Sequence, residues 1–548
     1  MRLSLVIALC AAVIMPSTAS YAQQSMQAGN YLAGRFAQSQ HDWKNANIFI
    51  NKLMDTSITP ANILQRAMIL SMGSGDAENA IKLAKQIKSQ NPSMSNTIIE
   101  IFLITEAFKQ KDYKKANSLL DNMPDNGTTK FITPFIEGWL AAAQGNLDIN
   151  NLRNNTAQLY HAILISDFLD NHKDIEKIID KSLNINDINI GELERVADLY
   201  AHVGLKDKAL GLYREILNNI PEYDAAKDKI EKLEKGLTKP LFKKLTTANN
   251  GMAKAFYDIA AILHNEENDE SARVFSNVAL YLNPKMTNPK FLLADINTSH
   301  KQYGAAISYY KSVPKSDSEY LYAQHKIVDI YEDMERFDEA LSLLKTLLHN
   351  YDDVDSFIKM GDLHRNQSNF GLAIKAYDNA IDKIGGTITE DYWHLHYMRG
   401  IAYEQMDNWK RAEEELQAAL TFQPDHPYIL NYLGYAWADK GVNLQKSLEM
   451  IKRAVALRPS DGYITDSLGW VMYRVKDYKN AVPVLERAAQ LLPYDPTVND
   501  HLGDAYLKVG RVLEAKFQWQ RAVNHSDDQK QIKEIKKKLS SNFKNIKK

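Results

Sequence analysis

Apolar positions recur at helical spacing along most of the chain, and the pattern repeats. The stretches YMRGIAYEQMDNWKRAEEELQAALTFQP, NYLGYAWADKGVNLQKSLEMIKRAVALRP, DSLGWVMYRVKDYKNAVPVLERAAQLLP and DHLGDAYLKVGRVLEAKFQWQRAV align on Gly400, Gly434, Gly469 and Gly503, spaced 34, 35 and 34 residues apart. After each glycine comes a small residue (Ala412, Ser447, Ala481, Ala515), a large apolar one, and a second alanine (Ala419, Ala454, Ala488, Ala522). The first three blocks then reach Pro424, Pro459 and Pro493. A period of this length predicts stacked two-helix units, each burying an apolar face against its neighbours.

Each residue type has a physical reason at its place. Glycine and alanine let the two helices of a hairpin approach closely, and the large residues between them fill the interlocking surface. The proline after each second helix stops it. Polar turns such as VKDY and QMDNW place an Asp where it can cap the second helix. Pro483 falls inside a second helix by register, where it is expected to kink the helix or make it start later.

These residues resemble the tetratricopeptide repeat (TPR) family, a helical hairpin of about 34 residues with L-G-x-x-Y early and A, F, A and P later. The resemblance extends upstream through Gly361 with Ala373 and Ala380, Tyr331 with Ala340, Ala306, and Ala272 with Ala279 and Pro284. It continues through Tyr200, Ala209 and Pro221, and through YLAGRFAQSQHDWKNANIFINKLM and MILSMGSGDAENAIKLAKQIKSQNP. Residues 131–183 depart from the spacing. The expected fold is all-α, a right-handed TPR solenoid of about thirteen hairpins with a C-terminal capping helix.

The expected organisation is a signal peptide over 1–22, an N-terminal array over 23–223, a joint over 224–248, a C-terminal array over 249–525 and a basic cap over 526–548. The joint has helical apolar spacing (Ile230, Leu233, Leu237) and breaks at Gly236 and Pro240. In the cap, Ser526 and Gln529 form an S-x-x-Q capping box, and Ile532, Ile535, Leu539, Phe543 and Ile546 recur at helical spacing. Eight Lys against three acidic residues there give a local charge of +5. That stretch reads as a solvating cover for the last repeat, with a docking strip for an acidic partner as the alternative.

Composition refines this picture at two points. Lys+Arg 66 against Asp+Glu 68 gives a net charge of -2, so no global field draws the chain to nucleic acid, and membrane association is expected to be peripheral at most. The N-terminus, MRLSLVIALCAAVIMPSTASYA, joins an early cation, an apolar run from Leu3 to Met15, Pro16 and small residues at Ser20 and Ala22. That is signal-peptide architecture, with cleavage expected after Ala22 and a periplasmic location, outer-membrane association being the alternative. Cys10 is the one cysteine in the sequence, so the chain after Ala22 has no thiol for a disulfide, a metal or a nucleophile.

Candidate chemistry is sparse. Asp466-Ser467 lies in a first helix with no G-x-S-x-G elbow, so Ser467 is not expected to be catalytic. His394 and His396 stand two apart on a helix and project to nearly opposite sides, unlike a metal-binding pair. GVNLQKS at Gly441 lacks the glycine that precedes the lysine of a phosphate-binding loop. No enzyme activity, cofactor or metal is expected.

What remains is surface. In TPR proteins the first helix of each hairpin lines a concave face that partners follow, and the resemblance places His394, Tyr397, Ile401 and Glu404 on it. Tyr428, Asn431, Tyr435 and Asp439 follow, then Tyr463, Asp466, Trp470 and Tyr473, then Asp500, Asp504 and Lys508. The peptide-binding candidates are Tyr397, Glu404, Asn431, Tyr435, Asp466, Trp470, Tyr473, Asp500 and Asp504. Rings offer contact area at low entropic cost, and acids select basic or amide-rich ligands. The Lys/Asn clamp that grips C-terminal carboxylates in cytosolic TPR chaperones is absent, its positions being Asp, Tyr and Trp. The chain is also similar to bacterial envelope TPR adaptors of carboxyl-terminal-processing proteases, through LNYLGYAWADKG and DSLGWVMYR. The expected function is a periplasmic scaffold with protein partners, among them such a protease and its substrates. The alternative is an assembly factor for envelope polysaccharide or secretion machinery.

Overall fold

The computed structural model describes residues 18–55, 60–94, 96–152, 155–171, 190–220, 223–236 and 244–540. Regular structure among them is helical, with no strand. The apolar run of the expected signal peptide, like Phe543, Ile546, Leu237 and Pro240, lies outside these residues. No described helix is long and apolar enough to cross a membrane. Contacts divide the chain into two units, Met1–Asp333 and Met334–Lys548. That division falls further along than the joint read from the sequence.

Unit 1 contains α1 (Thr18–Ser39), α2 (Trp43–Asn51), α3 (Ala61–Gly73), α4 (Ala77–Gln90), α5 (Thr97–Lys109), α6 (Tyr113–Leu120), α7 (Gly127–Ala143) and α8 (Thr156–Phe168). It continues with α9 (Ile190–His202), α10 (Lys206–Asn219), α11 (Asp224–Glu234), α12 (Ala248–Asn265), α13 (Asp269–Leu282), α14 (Asn288–Ser299), α15 (Tyr303–Lys311) and α16 (Tyr320–Asp333). Unit 2 contains α17 (Phe337–Asn350), α18 (Val354–Asn366), α19 (Phe370–Lys383), α20 (His394–Gln405), α21 (Trp409–Phe422) and α22 (Pro427–Lys440). After them come α23 (Leu444–Leu457), α24 (Gly462–Arg474), α25 (Tyr478–Leu491), α26 (Pro496–Lys508), α27 (Val512–His525) and α28 (Gln529–Ser540).

The hairpin turns repeat one backbone device. His41, Lys111, Glu267, Lys301, Glu335, Ser368, Asp407 and Lys476 all have φ between 56° and 67°, and Gly75, Gly204 and Gly510 fill the same slot elsewhere. The left-handed residue reverses the chain, and the next residue takes the N-cap position of the second helix. Asp42, Asp76 and Asp112 accept the backbone N–H groups of Asn45, Asn79 and Lys115 at 3.1–3.2 Å. In QMDNW the expected Asp cap is displaced: Asp407 takes the left-handed turn and Asn408 the cap position.

In unit 1 the chain folds back on its own repeats. The hairpin α12–α13 packs on α3, α5, α7 and α8. Trp139 is fully buried there, and a Cβ on Gly251 would sit 2.1 Å from its ring, so only glycine admits the indole. Trp139 Nε1 donates to His161 Nδ1 at 2.9 Å, and His161 Nε2 meets Asp258 Oδ2 at 2.8 Å. Lys254 pairs with the other oxygen of Asp258. Asn277 Nδ2 donates to the Gly73 carbonyl at 3.2 Å, and the Tyr281 hydroxyl donates to Glu106. One continuous apolar cluster, running from Ala37 to Ile296, results.

Unit 2 is stacked locally. A Cβ on Gly400, Gly434, Gly469 or Gly503 would lie 2.8, 2.8, 2.4 and 2.5 Å from Leu416 Cγ, Ile451 Cγ1, Leu485 Cγ and Trp519 Nε1. The paired alanines at 412, 419, 454, 481, 488, 515 and 522 are wholly buried. Ser447, in the alanine slot of its repeat, satisfies its hydroxyl on the Gly434 carbonyl at 2.5 Å. Two sequence expectations change. The helix α25 runs through Pro483 from Tyr478 to Leu491 rather than starting later. The cap of α28 is Asp528, whose carboxylate accepts the Lys530 N–H at 2.8 Å, while Ser526 bonds Gln531.

Candidate functional site

The repeat register of unit 2 places one side chain of each first helix in an equivalent position three residues before its glycine. Those residues are Tyr397 on α20, Asn431 on α22, Asp466 on α24 and Asp500 on α26. One turn further on each helix stand Ile401, Tyr435, Trp470 and Asp504. The spacing of i and i+4 puts each pair on one helix face.

At the centre of this row Asp466 is 5% exposed. Its Oδ2 meets His501 Nδ1 at 2.9 Å, and its Oδ1 has no hydrogen-bond partner. The His501 ring stacks on Trp470 with centroids 4.0 Å apart, and Trp470 stacks on Tyr473 at 5.0 Å. Burial alone would lower the His501 pKa, but the charge and hydrogen bond of Asp466, with Asp500 and Asp504 behind it, outweigh burial and raise it. Burial pushes the Tyr473 hydroxyl up to about 12, so the ring is a neutral surface at physiological pH. Trp470 Nε1 is likewise buried without a partner.

Beside Asp466 lies a cavity of about 220 Å³ lined by Asn431, Tyr432, Tyr435, Tyr463, Asp466 and residues of the α26 start. Asn431 Oδ1 is a second acceptor with no partner. Tyr463 stands 61% exposed at the rim. Asp495 is a wall residue absent from the sequence candidates. Its carboxylate caps α26 through the N–H groups of Thr497 and Val498, a role signalled by the Asp-Pro pair that opens the helix.

The remaining candidates are less open. Lys538 Nζ lies 2.7 Å from Asp500 Oδ1 and 2.8 Å from Asp504 Oδ2. Asp504 Oδ1 also accepts from Trp519 Nε1 at 3.1 Å. The C-terminal helix therefore does more than solvate the last repeat: it seats a lysine on two of the candidate acids while burying Ile535 completely. Glu404 accepts from Gln405 at 2.9 Å and from the Tyr432 hydroxyl at 3.3 Å. The Tyr397 ring meets Tyr432 edge-on at 6.1 Å.

The groups that looked chemical in sequence are spent on structure. The Ser467 hydroxyl donates to the Tyr463 carbonyl at 3.0 Å within its own helix. His396 Nδ1 meets Glu415 at 2.6 Å, away from His394. No cluster of metal-ligating side chains occurs among the described residues.

Residues 397–462 match the family model described as tetratricopeptide repeat. The TPR repeat-containing protein PA4667 of Pseudomonas aeruginosa is 34% identical over 111 residues, covering 20% of this chain and 19% of that protein. The BBSome complex member BBS4 of Bos taurus is 25% identical over 292 residues, covering 52% of this chain and 54% of that protein. The chain thus spans from about a fifth to about half the length of these curated relatives. Among solved structures, the APC/C hetero-tetramer Cut9–Hcn1 matches with a TM-score of 0.40 at 14% identity, covering 95% of this chain and 98% of that one. Yeast Tom70 matches with a TM-score of 0.30 at 12% identity, covering 94% and 95%.

Proposed function

We propose that this chain, a tetratricopeptide-repeat protein, is a non-catalytic scaffold that binds a protein partner in extended form along the first-helix face of unit 2. The observation that carries this reading is the row at Asn431, Asp466 and Trp470. These three side chains each keep a buried polar atom unpaired, and Asn431 and Asp466 line a cavity rimmed by exposed Tyr463. Buried polar groups are almost always hydrogen-bonded, and an unpaired one costs about 1–3 kcal/mol. A peptide main chain supplies the missing partners, its N–H groups for the acceptors and a carbonyl for the indole N–H. The stacked rings of Trp470, Tyr473 and His501 then offer a rigid contact surface at low entropic cost.

The finer reading is a periplasmic adaptor of a carboxyl-terminal-processing protease. A scaffold that holds enzyme and substrate on one chain raises their effective concentration without adding chemistry. It is supported by the resemblance of the repeats around Gly434 and Gly469 to such adaptors and by the signal-peptide pattern of residues 1–22. The test is photo-crosslinking in cells from an amino acid placed at Tyr463. Capture of a processing protease or its cell-wall substrates is the expected result. Capture of export or polymer-synthesis subunits instead would replace the adaptor reading with an assembly role. If partners crosslink from second-helix positions such as Phe517 and not from Tyr463, the site is wrong.

A further inference from the structure

We infer that the cavity beside Asp466 takes the guanidinium of one arginine from the bound peptide, an assignment that rests on the binding reading above. Two observations carry it. The first is the pair of orphaned acceptors carried by two of the residues that line the cavity. Asp466 is nine-tenths buried and spends Oδ2 on His501, while Oδ1 and Asn431 Oδ1 have nothing to accept from. A carboxylate oxygen left unpaired in that position is stabilised by any donor that reaches it.

The second observation comes from the next repeat. Asp500 occupies the slot equivalent to Asp466, and there the chain supplies its own cation, Lys538, which also reaches Asp504. The last repeat thus shows that this slot accepts a cation. One repeat earlier the partner of Asp466 is His501, at 2.9 Å from Oδ2, and no lysine or arginine pairs with it among the described residues. The nearby Arg474 turns to the Asp439 carbonyl at 2.7 Å and lies over the Trp470 ring. Asp495, the other carboxylate on the wall, is committed to the start of α26.

The cavity selects among cations. A volume of about 220 Å³ is below the roughly 300–1,000 Å³ of small-molecule sites, and is of side-chain scale. Its acceptors are separate atoms on two helices, and the rings of Tyr432, Tyr435 and Tyr463 form part of the wall. Arginine presents a planar fork of five donors that stacks on aromatic faces; an ammonium is a compact, strongly hydrated point charge.

The test uses the full chain and pools of acetylated, amidated octapeptides with the central residue held as Arg, Lys, Gln or Glu. Binding is read by affinity, and occupancy of the site by a photo-crosslinker at Tyr463. The Arg pool is expected to bind about tenfold more tightly than the Gln pool, the scale of a charge-assisted hydrogen bond. Asp466→Asn and Asn431→Ala should each reduce that preference to about twofold or less, with circular dichroism confirming the fold. Asp425→Asn, in an exposed turn where the carboxylate pairs with Arg453, should leave it intact. A Lys pool binding as well as the Arg pool, or an Arg preference that survives Asp466→Asn, overturns the assignment. Pools that crosslink at Tyr463 without preferring Arg overturn it and leave the peptide-binding reading standing. Absence of both binding and crosslinking sinks the two together.

Discussion

The same pair of side chains, a histidine against an aspartate, is buried in both units and behaves oppositely. In unit 1, His161 accepts at Nδ1 from Trp139, so its single proton sits on Nε2 and goes to Asp258. Burial lowers its pKa, and Lys254, already on the same carboxylate, adds to the lowering. In unit 2, Asp466 has no such competing lysine, and its charge raises the His501 pKa. The first network is closed, with both histidine nitrogens and both carboxylate oxygens paired. The second is left one partner short. The contrast extends to the surrounding packing, because in unit 1 the α12–α13 hairpin lies against the first helices α3, α5 and α7, whereas in unit 2 the equivalent row borders an open cavity. A buried ion pair is therefore no indication of function by itself, since the same pairing is saturated in one unit and leaves an oxygen over in the other.

Trp139→Ala is the change that strikes the closed network hardest. Removing a fully buried indole costs about 3–5 kcal/mol, and it also strips His161 of its donor. Because the apolar cluster of unit 1 is continuous, the loss should spread. Hydrogen exchange should show weakened protection in α3, α5, α8, α12 and α13 together. If only α7 loosens, the cluster is not cooperative.

Gly469→Ala is the matching change in unit 2, where the added Cβ meets Leu485 Cγ at 2.4 Å. Overpacking of this kind costs about 1–3 kcal/mol. Here the clusters join neighbouring repeats only, so the exchange effect should remain in α24, α25 and the helices beside them. The double variant Gly469→Ala with Leu485→Ala should recover part of the steric component, measured as a coupling energy by urea unfolding.

The two histidines should split the response to pH. His161 folds with a pKa below the ordinary 6.5. Between those values the unfolded chain binds a proton that the folded one refuses, so unit 1 loses stability as pH falls below 6.5. His501 folds with a pKa above 6.5. Its contribution is fully present below 6.5 and disappears as pH rises through the folded value. Exchange measured per unit between pH 5.5 and 8 should move in opposite directions, and His161→Gln and His501→Gln should each flatten one slope. Parallel slopes would break the comparison.

Which parts were legible in the sequence follows from range. Gly434 with Ser447 and Gly400 with Ala412 meet within one hairpin, so period and residue size revealed them. The closure of unit 1 depends on Asn277 reaching Gly73 and His161 reaching Asp258, pairs far apart in the chain with no periodic signature. The row at Asn431, Asp466 and Trp470 was visible as a repeat register. That Asp500 meets a lysine while Asp466 does not depends on a helix whose start the sequence leaves open between Ser526 and Asp528. With the cap at Asp528, Lys538 stands over the last repeat, a geometry that the charge count of that stretch could not reveal.

Lys538 also supplies the finest test of the comparison. Lys538→Met keeps the side-chain bulk over Trp519 and removes the cation from Asp500 and Asp504. The pair is partly solvated, so stability should fall by about 1 kcal/mol or less. Its ligand effect is the informative one, because the last repeat would then resemble the one before it, with no lysine on the carboxylate of the equivalent slot. Arginine-bearing octapeptides should bind the variant at two sites, where the parent binds at one, as counted by titration calorimetry. Asp500→Asn in the Lys538→Met background should return the count to one. A count that stays at one when Lys538 is removed would mean that Asp466 binds through its particular walls, Tyr435 and Tyr463, and not through a slot the repeat carries from helix to helix.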